Sequence, residues 1–201
     1  MKTAFRSAAT AFAALVHQIP ESAWEGPGLG EWDLRALVGH ASRSMITVSA
    51  YLRVPAERVD VTSAADYYAM VRDHLATADP SAIVERGRQA GRELGENPAA
   101  AVDALVERAL ADVEHVEDPL ITVIGGLGIR LTDYLPTRVF ELAVHGLDVA
   151  RAAGLDFVLP EDVLAEATEL AARISVRLGT ATPVLLALTG RDHLPPSFSV
   201  V

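Results

Sequence analysis

The sequence contains no cysteine. That excludes a disulfide framework, a thiolate nucleophile of its own and Cys-ligated zinc, so any metal must rest on histidine and carboxylate, and any thiol chemistry must come from a cofactor. Aromatic residues make up only 5% of a chain that is half apolar. The interior is then filled mainly by Ala, Val and Leu, which suits closely packed helices and favours an all-α class. Basic residues are outnumbered, 17 against 27 acidic, for a formal charge of −10. This balance argues against nucleic acid or an anionic membrane as a partner, since either demands a clustered basic surface. No run approaches the roughly 20 uninterrupted apolar residues of a membrane-spanning helix. The opening MKTAFRSAATAFAALVHQIP is interrupted by Arg6, His17 and Gln18, so it reads as an amphipathic helix rather than a signal peptide. A soluble, cytoplasmic protein is expected.

What the chain does have is helical periodicity. The pattern predicts a helix near 3–19 ended by Pro20, and a second that Asp33 caps or opens and that runs on to Pro55. Further helices are expected over about 62–78, 81–94 and 98–116, with short links that favour antiparallel neighbours in an up-and-down bundle. The β-branched stretch LITVIGGLGIRL at 120–131 fits either a short hairpin or an irregular helix entry. A long helix over 133–153, stopped by Gly154, and another over 160–178, stopped by Gly179, complete the bundle. The tail TPVLLALTGRDHLPPSF reads as a strand, a turn and coil. One domain spanning 1–201, with a tail from about 180, is the expected organisation.

The helix at 133–153 carries the chemistry. At about 100° per residue, Tyr134, Arg138, Glu141, His145 and Asp148 fall within roughly an 80° arc, on a helix that is otherwise mostly apolar. Such a stripe is either the helix's solvated face or the wall of a cavity. Its narrowness, together with a carboxylate and an imidazole one turn apart, weighs towards the cavity. Glu141 and His145 can converge on one ion, and a third ligand must come from elsewhere. His40, set among Leu37, Val38, Gly39 and Ala41, is the best candidate, although a lone histidine in such a place is often only a hydrogen-bonded core residue. His17, His74, His115 and His193 lack such a setting and read as surface or locally bonded. Trp32 reads as a structural residue near the start of the second helix. Asp148 is expected to support a ligating imidazole, with His40 favoured over His145, against the alternative of a plain ion pair with Arg151.

Two segments, GEWDLRALVGH at 30–40 and YLPTRVFELAVHGLDVARAAG at 134–154, resemble the metal-binding bundle of the mycothiol-dependent maleylpyruvate isomerase family, within the wider DinB-like superfamily. The likeness extends more weakly to VLLALTGR at 184–191. It implies a DinB-like helical bundle that binds a divalent metal, usually zinc, through His40, Glu141 and His145, leaving a position open for a ligand. It also implies a low-molecular-weight, mycothiol-like thiol whose sulfur is activated on the metal for S-transfer to, or isomerisation of, a small electrophile. Arg138 and Arg151 are then candidate contacts for the thiol's carboxylate or an acidic substrate, unless they merely pair with Asp148, Asp133 or Glu141. Maleylpyruvate isomerase itself appends a C-terminal α/β domain, whereas about fifty residues follow the metal helix here, too few for that domain. The other reading is a non-catalytic bundle that binds a small molecule or pairs with another chain, a homodimer included.

Overall fold

The computed structural model describes residues 1–75 and 79–201, without the side chains of 73–75 and 80. Eight α-helices and one two-stranded antiparallel hairpin are found among the described residues. The end of the third predicted helix and the setting of His74 lie outside them.

Helix α1 (Lys2–Val16) buries Phe5, Phe12 and Leu15. It ends before the expected residue 19 because the next amides bond three residues back, Gln18 to Leu15 and Ile19 to Val16, tightening the chain into the turn at Pro20. Helix α2 (Leu34–Tyr51) starts where Asp33 caps it: the carboxylate accepts from the Ala36 amide at 2.7 Å. Helices α3 (Ala64–Leu75), α4 (Pro80–Glu93) and α5 (Pro98–Glu114) follow. Ser63 Oγ accepts from the Asp66 amide at the start of α3, while Asp79 and Asn97 cap α4 and α5, each just before a proline that needs no amide donor.

The stretch at 120–131 is a hairpin. Strands β1 (Leu120–Val123) and β2 (Leu127–Arg130) pair antiparallel with Ile121 opposite Ile129, burying both, and the chain passes directly into α6 (Leu131–Ala153). That helix accommodates Pro136 in its second turn and stops at Gly154, whose φ of 67° is the left-handed conformation the stop requires. Helix α7 (Glu161–Arg177) follows.

The tail differs from the sequence expectation. Residues Ala181–Leu188 form a helix, α8, not a strand. An isolated strand here would need a free sheet edge to satisfy its backbone, whereas a helix of Ala and Leu satisfies its own. Packing order also departs from chain order in places: α2 packs chiefly on α4, α6 and α5, and α1 on α6 and α5, while α6 and α7 are neighbours in both senses.

The approach of α4 to α2 is set by glycine. A Cβ at Gly39 would lie 2.2 Å from the Gly91 amide nitrogen, and one at Gly91 would lie 2.8 Å from the Arg35 carbonyl oxygen. One turn earlier on α4, Gly87 makes room for the Trp32 indole, where a Cβ would lie 2.5 Å from the ring. At Gly39 and Gly91 the obstacle is backbone, so no larger residue fits there without driving the helices apart, whereas at Gly87 it would displace the indole. The crossing therefore fixes the segment of α2 that bears His40.

Candidate metal centre

His40 is presented by α2 one residue beyond this crossing. The Trp32 ring stacks against it, with centroids 4.4 Å apart, and the indole N–H donates to the Val84 carbonyl oxygen of α4 at 2.9 Å. Trp32 is thereby tied to both helices, as a structural residue should be, and it is not part of the cavity wall described below.

Glu141 and His145 come from α6, one turn apart. His145 Nε2 lies 3.2 Å from Glu141 Oε2, and the His40 and His145 rings meet edge to face at 4.9 Å between centroids. One ligand atom from each of His40, Glu141 and His145 can be chosen so that all lie within 4.8 Å of one another. Ligands at ~2 Å from one ion sit roughly 3–4 Å apart, so small side-chain rotations would close the set. This group can hold a metal ion.

The polar stripe of α6 faces inward. Tyr134 is fully buried and Arg138, Glu141, His145 and Asp148 are largely covered, while Leu147, off the stripe, is 44% exposed. Tyr68 of α3 donates its hydroxyl to Glu141 Oε1 at 2.6 Å. Asp148 Oδ2 lies 3.3 Å from His145 Nδ1. Here the structure corrects the sequence expectation: Asp148 meets His145 rather than His40. The His145 ring turns Nδ1 towards the next turn of its own helix, within reach of a side chain at i+3, and turns Nε2 towards Glu141.

Electrostatics follow these contacts. Burial, reinforced by His145, pushes His40 down to about 4, so its imidazole is neutral and able to ligate. Burial opposes the charge on Glu141, yet the hydrogen bond to His145 and the nearby Arg138 guanidinium prevail and hold it at about 2. Burial likewise opposes charge on His145, but the Asp148 and Glu141 carboxylates raise it to about 9.

A cavity of about 610 Å³ opens beside this cluster, with His40 and Glu141 in its wall. The chain has only four tyrosines, and all of them, Tyr51, Tyr67, Tyr68 and Tyr134, line it. Sequence reasoning singled out Tyr134 but missed the other three. Their scarcity was the available signal, since residues that rare seldom gather in one place without a common task.

The two arginines named from the sequence part company. Arg138 lines the cavity, its Nε donates to Thr137 Oγ1 at 2.9 Å, and its guanidinium lies 4.9 Å from the Tyr134 ring centroid. Arg151 is exposed, thirteen residues further along α6 and so roughly 20 Å from Arg138 along the axis, and is not in the cavity wall. Nor is it ion-paired with Asp148 among the described residues; the expectation of a ligand contact at Arg151 does not fit this geometry. The remaining described histidines lie at the surface: His17 meets Asp103 of α5 at 2.8 Å, His115 Nδ1 meets the Ala111 carbonyl at 2.6 Å, and His193 is exposed.

Comparison with known proteins agrees with this architecture. No curated protein and no solved structure matches the chain significantly. A protein-family model described as the mycothiol maleylpyruvate isomerase N-terminal domain matches residues 5–150, a span that takes in most of α1, α2 to α5, the hairpin and most of α6 with all three candidate ligands. The chain belongs to that family.

Proposed function

We propose that this protein is a divalent-metal-dependent enzyme that uses a low-molecular-weight, mycothiol-like thiol for S-transfer to, or isomerisation of, a small electrophile. The observation that carries the reading is the convergence of His40, Glu141 and His145, the first two of them in the wall of a 610 Å³ cavity, in a chain of this family. The neutral imidazole of His40, the carboxylate of Glu141 and the imidazole of His145, which would give up a proton to an arriving ion, form a donor set of the kind found in catalytic zinc sites, which keep a position open for a ligand. A divalent ion there would lower the pKa of a bound thiol and so supply the nucleophile that a chain without cysteine lacks.

The protein's own residues have supporting tasks. Asp148 holds His145 Nδ1 and so aims Nε2 at the site. Tyr68 occupies one oxygen of Glu141 and leaves the other facing His145. Trp32 and the α2–α4 crossing hold His40 in place. Zinc, nickel, iron and manganese all accept His and Glu ligands, and zinc is the natural first choice for a site of this composition.

The test has two steps. Metal content is measured on protein purified without added metal, and thiol binding is then measured on the metal-loaded form. A panel of mycothiol-type thiols and electrophiles, followed by mass spectrometry, would identify the adduct. Protein that takes up no metal at these residues would end the proposal, and a metal-loaded form that binds no thiol would favour a non-catalytic binding protein.

A further inference from the structure

Residues 189–201 follow α8 without regular secondary structure, and their far end returns to the cavity. Val200 and Val201 are part of its wall, together with Tyr51 of α2, Val71 and Arg72 of α3 and Ile124 in the turn of the hairpin. The turn that brings them back is written into the sequence. The Phe198 amide donates to the Pro195 carbonyl oxygen at 3.1 Å, Pro196 fixes the second position of the turn, and Ser197 takes a φ of 60° at the third. Ser197 is the one residue other than glycine with a positive φ among the described residues. Beyond the turn burial alternates, with Phe198 and Val200 half-buried and Ser199 and Val201 exposed, as in an extended segment lying along a surface. Val200 packs against the hydrophobic core, while Val201 lines the cavity yet is 62% exposed, which places it at the rim.

Side chains alone hold this segment down. Among the described residues no hydrogen bond or ion pair joins 197–201 to a helix or to the hairpin: Phe198 bonds back to Pro195, and Ser199 and Val201 bond to each other. The hairpin, by contrast, is tied to the chain after α2 by backbone bonds from Ala56 to Leu120 and from Thr122 to Val54. Every other residue of the cavity wall belongs to α2, α3, α6 or the hairpin turn, so 197–201 is the part of the wall that can leave without unfolding a helix. Segments attached by a few apolar contacts and no backbone bonds open at low free-energy cost. The family match ends at residue 150, well before this segment.

We propose that residues 197–201 are a strap that gates the cavity: clasped by Phe198 and Val200 it covers the mouth, and it swings about the turn at 195–198 to admit a small ligand. Closed, it screens the cavity from water, as lids over reactive sites do. The gate goes beyond the functional reading above and holds whether or not an ion or a thiol binds.

Entry is read with a thiol placed inside. The chain has no cysteine, so Thr47→Cys gives one reporter in the cavity wall, two turns along α2 from His40 and roughly 10 Å away along the axis. Ser42→Cys gives a second, fully buried in the same helix but outside that wall. Each reporter is made in the full chain, in a chain lacking residues 197–201, and in a full-length Phe198→Ala, Val200→Gly variant. Reaction with excess dithiodipyridine is followed by absorbance. The Thr47→Cys thiol should react about tenfold or more faster in both altered chains than in the intact one, while Ser42→Cys keeps one slow rate in all three. Equal Thr47→Cys rates in the three chains overturn the gate. Acceleration of both reporters alike overturns it too, since the strap would then brace the whole fold. Should the shortened chain fail to fold, the doubly substituted one decides. No metal enters the readout, so failure here leaves the metal centre standing, and a chain that takes up no metal leaves the gate standing.

Discussion

Asp148 and Glu141 hold the two nitrogens of one imidazole: Oδ2 of Asp148 lies 3.3 Å from His145 Nδ1, and Oε2 of Glu141 lies 3.2 Å from Nε2. A histidine gripped from behind by a carboxylate has its ring angle set before any ion arrives, and keeps the proton on Nδ1 when Nε2 gives its own up to the ion. Asp148→Asn should therefore weaken metal binding about 10–100-fold. Arg151→Ala, at an exposed residue away from the cavity, should leave it unchanged. Competition with a chromophoric chelator measures both, and equal affinity in Asp148→Asn and the parent would deny Asp148 its role.

His40→Ala and His145→Ala should each lower the metal content of purified protein sharply, because removal of either leaves two ligands from the chain. Elemental analysis of the variants gives the stoichiometry directly. Retention of one ion per chain in both variants would place the metal elsewhere.

Gly39→Ala tests the helix crossing that positions His40. Its Cβ would lie 2.2 Å from a backbone nitrogen of α4, an obstacle that no side-chain rotation relieves. The variant should lose about 1–3 kcal/mol or more on urea unfolding, as overpacked cores do, and should bind metal more weakly even though no ligand has changed. Unaltered unfolding would mean that α2 and α4 separate without cost.

Trp32→Ala removes a ring that touches His40 and a hydrogen bond to α4. Loss of a large aromatic side chain typically costs about 3–5 kcal/mol, and a value near the lower end is expected because Trp32 is only half-buried. Trp32→Phe should retain much of the stability and the metal. A Trp32→Phe protein of parental stability that had lost thiol binding would make the residue functional instead of structural.

The pH dependence of stability has a contributor away from the site. The Arg177 guanidinium, 2.6 Å from Asp66, and the Ser63 hydroxyl at 2.8 Å hold the Asp66 carboxyl below its ordinary 3.8. Because the folded value is depressed, the stabilisation is fully present above the ordinary value and is lost as pH falls through the folded one. Arg177 is half-exposed, so Asp66→Asn should cost only about 0.5–1 kcal/mol at pH 7. The gap between variant and parent should close progressively on acidification below pH 4, as followed by urea unfolding at several pH values. A gap that widened on acidification would show the sign to be wrong.

Much of this was legible in the chain because helix signals are local. Asp33, Gly154 and Gly179 mark helix ends through their own backbone preferences, and the spacing from Tyr134 to Asp148 shows on a wheel without any tertiary knowledge. The pairing partner of Asp148 was not legible, since it depends on the rotamer of His145. Nor was α8: its Val and Leu run suits a strand or a helix equally, and only the lack of a sheet edge beside it decides. Tyr67 and Tyr68 escaped notice because their helix has no marked stripe, and their task depends on where α3 meets α6.

Tyr68 provides the last expectation. Its hydroxyl is 2.6 Å from Glu141 Oε1 and 3.3 Å from the Thr137 carbonyl oxygen, and burial followed by the Glu141 charge pushes its pKa well up, so it keeps its proton and donates it at neutral pH. In Tyr68→Phe that oxygen of Glu141 loses its donor inside a largely buried site, which costs about 1–3 kcal/mol of stability if the carboxylate stays in place. The carboxylate has an alternative, because Arg138 lies one turn away on the same helix. Glu141 would rotate towards Arg138, away from His145, and so leave the metal site short of a ligand. Tyr68→Phe should therefore weaken metal binding about tenfold or more. Tyr67 makes no described hydrogen bond to Glu141, so Tyr67→Phe should leave metal binding unchanged. Competition with a chromophoric chelator reads the difference, and unchanged metal affinity in Tyr68→Phe would mean that the Tyr68 hydroxyl does not hold Glu141 at all.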